Sequence, residues 1–171
     1  MTTAEDMSPV PSDPLAPGGR IVVGVDESDH ALVALRWALR EAVVRKASVE
    51  AVYAWLPPAT VLPFGATLPL SDDEGEIDAA ARAELDTVVD NAVAELAGLA
   101  EVGTAPEVTR TVLPGSAAPT LVEVAEDAAL LVVGSHGRTG WRKLMLGSVA
   151  DAVVQHATCP VVVVRLPASE D

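Results

Sequence analysis

The chain has 171 residues, half of them apolar, with 11 lysines and arginines against 25 aspartates and glutamates, a formal charge of −14. That length fits one domain and that apolar share suffices for a full core, while a field of this sign repels duplex DNA and anionic membrane surfaces. The apolar runs are far shorter than the ~18 residues of a membrane span, and the single cysteine, Cys159, excludes an internal disulfide.

Residues 1–19 are rich in Pro, Ser and Asp and lack apolar periodicity, which predicts a disordered tail with no signal-peptide pattern. A cytoplasmic protein is therefore expected. The run RIVVGV at 20–25 is apolar and β-branched, as in a buried strand. Asp26-Glu27-Ser28-Asp29 opens a helix in which Leu32, Leu35, Leu39 and Val43 recur at helical spacing, with Ser28 or Asp29 as its N-cap. Residues 47–55 form a second strand. Residues 56–76 hold four prolines and the acidic run Asp72-Asp73-Glu74, which predicts a flexible, structureless connection and a candidate lid.

Ile77, Ala81, Leu85, Val88, Ala92, Leu96 and Leu99 form one helical stripe over 77–99. A third strand follows at 107–113. Pro114-Gly115-Ser116 is a turn, with Ser116 placed to cap a short helix reaching about residue 127. A fourth strand at 129–133 runs into a glycine loop. A helix at 146–156 and a fifth strand at 160–165 complete one domain, 20–166, before a short tail at 167–171. Cys159 lies just before that strand and reads as a small buried residue.

Strands that alternate with helices and read as continuous apolar runs predict a doubly wound, five-stranded parallel α/β sheet with helices on both faces. In such sheets ligands bind beyond the C-terminal strand ends, where the strand order reverses. The first and fourth strands are the expected neighbours there, which brings Asp26 and Gly134 to one crevice. The fifth strand, from Pro160 through Val161, Val162 and Val163 to Val164, would leave an apolar edge. Such edges are paired or covered, so a homodimer is predicted.

The glycine loop carries the chemistry. Gly134, Gly137, Gly147 and Ser148 are spaced G-x2-G-x9-G-S on a strand-loop-helix frame. Glycines permit close backbone approach, and the first N–H groups of the following helix attract anions. Arg138, Arg142 and Lys143 put three of the 11 basic residues into six positions of this loop, a local positive site within an acidic protein. The G-x-x-x-x-G-K-[ST] signature is absent, and the first βα turn, Gly24-Val25-Asp26-Glu27-Ser28, is not G-x-G-x-x-G. His30, His136 and His156 lack metal-ligand spacing.

The RIVVGVDES opening, the VVGSHGRTGWRKLMLGSVAD block and the CPVVVVR strand resemble the universal stress protein family over residues 20–165. The G-x2-G-x9-G-S motif marks that family's ATP-binding branch. The resemblance implies a Rossmann-like fold akin to the adenine nucleotide α-hydrolases and an ATP cofactor, with Mg²⁺ accompanying it. It implies that Gly134, Gly137, Gly147, Ser148 and the adjoining Val149 wrap phosphates and ribose, with His136 and Arg138 contributing mainly backbone. Asp26 would face the nucleotide, near ribose or a phosphate-bound Mg²⁺. Ser28 belongs to the same turn, and the backbone of Ala54 would recognise adenine. Glu27 departs from the glycine of many relatives and adds negative charge beside Asp26. The function implied is an ATP-binding stress-response regulator; a cyclic AMP sensor or sink and a slow ATP hydrolase are the alternatives. Efficient turnover needs a group to orient water as well as a metal site, and the sequence fixes no such partner for Asp26.

Overall fold

A computed structural model describes residues 18–56, 59–61, 67–69, 74–99, 104–137 and 146–166. The expectations for residues 1–17 and 167–171 and for Arg138, Arg142 and Lys143 lie outside the described residues. Strand β1, Arg20–Gly24, buries Ile21, Val22 and Val23 completely, which explains an uninterrupted apolar run in place of alternation. Helix α1, Asp29–Arg45, starts where the Ser28 side chain accepts from Ala31 N. Ser28 is thus the N-cap, and Asp29 sits in the first turn, where the helix dipole favours a carboxylate. Ala31, Ala34, Leu35, Ala38, Leu39 and Ala42 form its buried stripe. Small alanines let the helix lie close to the sheet.

Strand β2, Ser48–Trp55, is followed by a short antiparallel pair, β3 Ala59–Val61 and β4 Thr67–Pro69. The connection read as structureless therefore holds local pairing. Helix α2, Glu74–Ala97, also begins earlier than its apolar stripe suggests. Glu74, part of the run read as linker, and Glu76 instead supply first-turn carboxylates. Then come β5 Val108–Pro114, α3 Ala117–Val124, β6 Leu130–Gly134, α4 Ser148–His156 and β7 Val161–Val164. Ser116 occupies the N-cap position of α3, but its side chain makes no capping bond.

The main sheet has the order β5-β2-β1-β6-β7, and all its neighbours are parallel. The chain builds outward from β1 through β2 to β5, then returns to lay β6 and β7 on the other side of β1. The order therefore reverses between β1 and β6. One core packs α1 and α2 on the face carrying Val23, Ala51 and Tyr53, and the other packs α3 and α4 on the face carrying Val22, Val52 and Val133. A polar clamp crosses the second face. Arg20 pairs with Glu50 and donates to Val124 O at 2.9 Å, and Thr111 Oγ1 donates to Glu50 Oε1 at 2.6 Å. It ties three strands to the C-terminal end of α3 and satisfies that helix's last turn. Among the described residues no helix is long and apolar enough to cross a membrane.

Candidate functional site

The register Ile21↔Leu130 to Val23↔Val132 brings the ends of β1 and β6 to one level. Beyond them lie Asp26 on one side and Ser135, His136 and Gly137 on the other. On the β1 side, Asp26 Oδ1 accepts from Ser28 N at 2.9 Å and from Ser28 Oγ at 2.5 Å. Ser28 Oγ in turn accepts from Ala31 N at 3.2 Å. This relay anchors one carboxylate oxygen to the start of α1. The other oxygen, Oδ2, lies next to Gly137: a Cβ on that glycine would sit 3.0 Å from it. Glu27 accepts from Tyr53 Oη at 3.0 Å, so its charge is tied towards the face that packs α1 and α2.

The β6 side is assembled from backbone. A Cβ on Gly134 would come within 2.8 Å of the His30 carbonyl carbon. Only glycine lets β6 lie directly on the first turn of α1. Ser135, 2% exposed, donates its N–H to Val164 O at 2.7 Å and accepts from Gly147 N at 2.8 Å. Its hydroxyl lies 3.1 Å from His136 Nδ1, and the His136 ring packs 5.3 Å from that of His30. A Cβ on Gly147 would sit 3.1 Å from His136 Cα, so the start of α4 is seated on the loop itself. Close approach is what these glycines supply; the described glycines with left-handed φ are Gly18, Gly19 and Gly115.

Gly147 is also the N-cap of α4. Ser148 is therefore the first helical residue, exposed at the mouth, and the cap makes no side-chain hydrogen bond. The N–H groups of Ser148, Val149 and Ala150 precede the first intrahelical bond, which runs from Asp151 N to Gly147 O at 2.9 Å. Three donors and a hydroxyl at a helix N-terminus suit an anion.

Ala54 lies one strand away. Pairing of β1 with β2 stops at Gly24↔Val52, just before a bond from Val25 N to Val52 O at 2.9 Å. Peptide groups alternate sides along a strand, so those of Ala54 face the same way as those of Val52, one step past the end of β1. They border the crevice.

The described part of the glycine motif, with Asp26, Ser28, His136 and Val149, thus converges on one mouth, and Ala54 flanks it. Arg138 falls outside the described residues. Sequence reasoning missed His30, which supports the loop from below, and Ser135, whose backbone joins β7, the loop and α4. The available signal for His30 was its place in the first turn after the Ser28 cap; Ser135 stood inside the motif as an unassigned position. No group of three or more His, Cys, Asp or Glu forms a metal cluster among the described residues. Asp26 alone suits a hard cation that draws its remaining ligands from phosphate and water. Cys159 is half-buried, and burial pushes its thiol above the ordinary value, which disfavours the reactive thiolate.

The profile of the Universal stress protein family matches residues 19–165. Universal stress protein Rv2623 of Mycobacterium tuberculosis is 35% identical over 150 residues, covering 85% of this chain and 47% of its own length. The chain thus spans about half the length of the curated relatives it matches. Among solved structures, universal stress protein UspA from Lactobacillus plantarum is 25% identical with a TM-score of 0.65, over 88% of this chain and 99% of its own. A universal stress protein in complex with cAMP is 24% identical, with a TM-score of 0.57 over 85% of this chain and 95% of its own, a likeness of fold.

Proposed function

The chain belongs to the universal stress protein family, and from that premise we propose that it is an ATP-binding regulator whose nucleotide lies across the β1–β6 crevice. The carrying observation is the seating of α4 on the glycine loop. Gly147 N binds Ser135 O at 2.8 Å, which brings the N–H groups of Ser148, Val149 and Ala150 and the Ser148 hydroxyl to the mouth opposite Asp26. Phosphates occupy that donor set and the backbone around His136 and Gly137, with Arg138, assigned from the motif alone, as a further contact. Asp26 Oδ2 holds a Mg²⁺ ion shared with the phosphates. The N–H and C=O of Ala54 read the adenine edge.

The donor set extends from the loop into α4, which suits a chain of phosphates better than the single phosphate of cyclic AMP. Cyclic AMP remains the competitor to titrate. The reading is of binding and not turnover: the placed carboxylate is held by Ser28, and a hydrolase needs a further group to orient water. The same reading pairs two chains through β7. Its four valines are all half-buried, and its second edge has no partner strand in the described sheet. Residues 20–166 act as one unit, with the β3–β4 pair as a candidate lid.

The test is to denature freshly purified protein, identify any released nucleotide, and titrate the emptied protein with ATP, ADP and cyclic AMP. Tightest binding of ATP supports the assignment. Tighter binding of cyclic AMP, or no binding of any nucleotide, rejects it.

A further inference from the structure

A groove between the C-terminal halves of α1 and α2 shares no residue with the nucleotide crevice and measures about 350 Å³. Arg36, Leu39 and Arg40 line it from α1, at i, i+3 and i+4, and Leu96, Gly98 and Leu99 line it from the end of α2. Arg36 is engaged by Glu95 across the groove at 2.6 Å. Arg40 is exposed and has no ionic partner among the described residues, and the same holds for the side chain of Lys46 at the C-cap of α1. Leu99 is 42% exposed, and Val44, one turn past Arg40, is 78% exposed. In a chain of charge −14, this end of α1 thus joins unpaired cations to uncovered apolar side chains.

The chain itself supplies an occupant. Gly18 N donates to Arg45 O at 2.7 Å, so the polypeptide enters the fold at the C-terminal end of α1. From Arg45 back to Arg40 the helix spans about 7.5 Å, and five residues of extended chain reach up to about 17 Å. Residues 1–17 hold Glu5, Asp6 and Asp13 and no Lys or Arg; Leu15 stands three positions and Asp13 five positions before Gly18. We propose that this N-terminal segment docks in the groove, with Leu15 on Val44 and Leu99 and Asp13 at Arg40. Charge complementarity selects an acidic segment, and covering the two apolar side chains removes their surface from water. Pro14 and Pro17 have fixed φ, which lowers the entropy lost on docking. The tether supplies a high effective concentration, so a contact that would be weak between separate molecules suffices. The docked segment closes the groove to other acidic chains, and it does so whether or not nucleotide is bound.

The test is paramagnetic relaxation in the full chain, spin-labelled at Ser12→Cys with the native thiol removed by Cys159→Ser. Broadening of the Arg40, Val44 and Leu99 amides, unchanged on dilution, is expected. Arg40→Glu and Asp13→Lys each turn attraction into repulsion and lower the docked-to-released ratio about fivefold, and the two together restore it. Leu15→Asn lowers the ratio with no change of charge. Thermal melts check each variant, and Cys159→Ala replaces Cys159→Ser if the latter unfolds. Broadening that fades on dilution, or that passes between molecules in a mixture of spin-labelled and isotope-labelled chains, gives the groove to a second copy and overturns the proposal. Broadening spread evenly over the surface, or no recovery in the charge-swapped pair, overturns it as well.

Discussion

The two walls of the crevice present polar groups by different means. The β6 wall is backbone, held by packing: Gly134 lies on the first turn of α1, and Gly147 lies on His136. The β1 wall is side chain, held by a relay from Asp26 through Ser28 to Ala31 N. A backbone wall fails when any Cβ intrudes, because its donors move together. A side-chain wall tolerates substitutions of equal shape and answers mainly to charge. The first should therefore decide whether phosphate binds, and the second which counter-ion accompanies it and how tightly.

The largest expected effect is on the backbone wall. Gly147→Val crowds His136 Cα and Ser135 O and is expected to shift the start of α4 with its donors; at about 1.5–3 kcal/mol for each charge-assisted bond, loss of two or more gives a fall in ATP affinity of a hundredfold or more. On the β1 wall, Asp26→Asn keeps the shape but removes the carboxylate proposed to hold the cation. About tenfold weaker binding of Mg-ATP is expected, with metal-free ATP bound as well as before or better. An equal loss with and without Mg²⁺ would place Asp26 on the ribose instead. Glu27→Gln retains an acceptor for Tyr53 and removes one negative charge near the proposed phosphate site. A gain of about two- to fivefold in ATP affinity, shrinking as salt is raised, is the expected outcome in titrations at two ionic strengths. The smallest functional effect belongs to Ser28→Ala. It removes the α1 cap and should cost about 1 kcal/mol of stability in a denaturant melt, with a lesser change in affinity.

The contrast between the walls also explains what could be read from the chain in advance. The five-stranded parallel sheet was legible because both its faces are covered, so runs such as Ile21-Val22-Val23 and Leu130 to Val133 are apolar throughout. The glycine spacing was legible because a backbone wall leaves its mark as absent side chains. The reason for those glycines was not, since Gly134 answers to His30, a residue distant in sequence. The pairing of β3 with β4 was hidden by prolines, which signal turns without telling what the residues between them pair with. The helix read from residue 146 starts two residues later, at Ser148, with Gly147 as its N-cap, pressed close against His136. The Arg20–Glu50–Thr111 clamp was equally invisible, because its members come from three strands and meet only through register.

The most direct measurement is a calorimetric titration of Mg-ATP into nucleotide-free wild-type protein and into Gly147→Val, each checked for an intact fold by its thermal melt. The account predicts one saturable site in the wild type and at least a hundredfold loss in a still-folded variant. Equal affinity in the two proteins, with both folded, would contradict the placement of the phosphates against α4 and the loop.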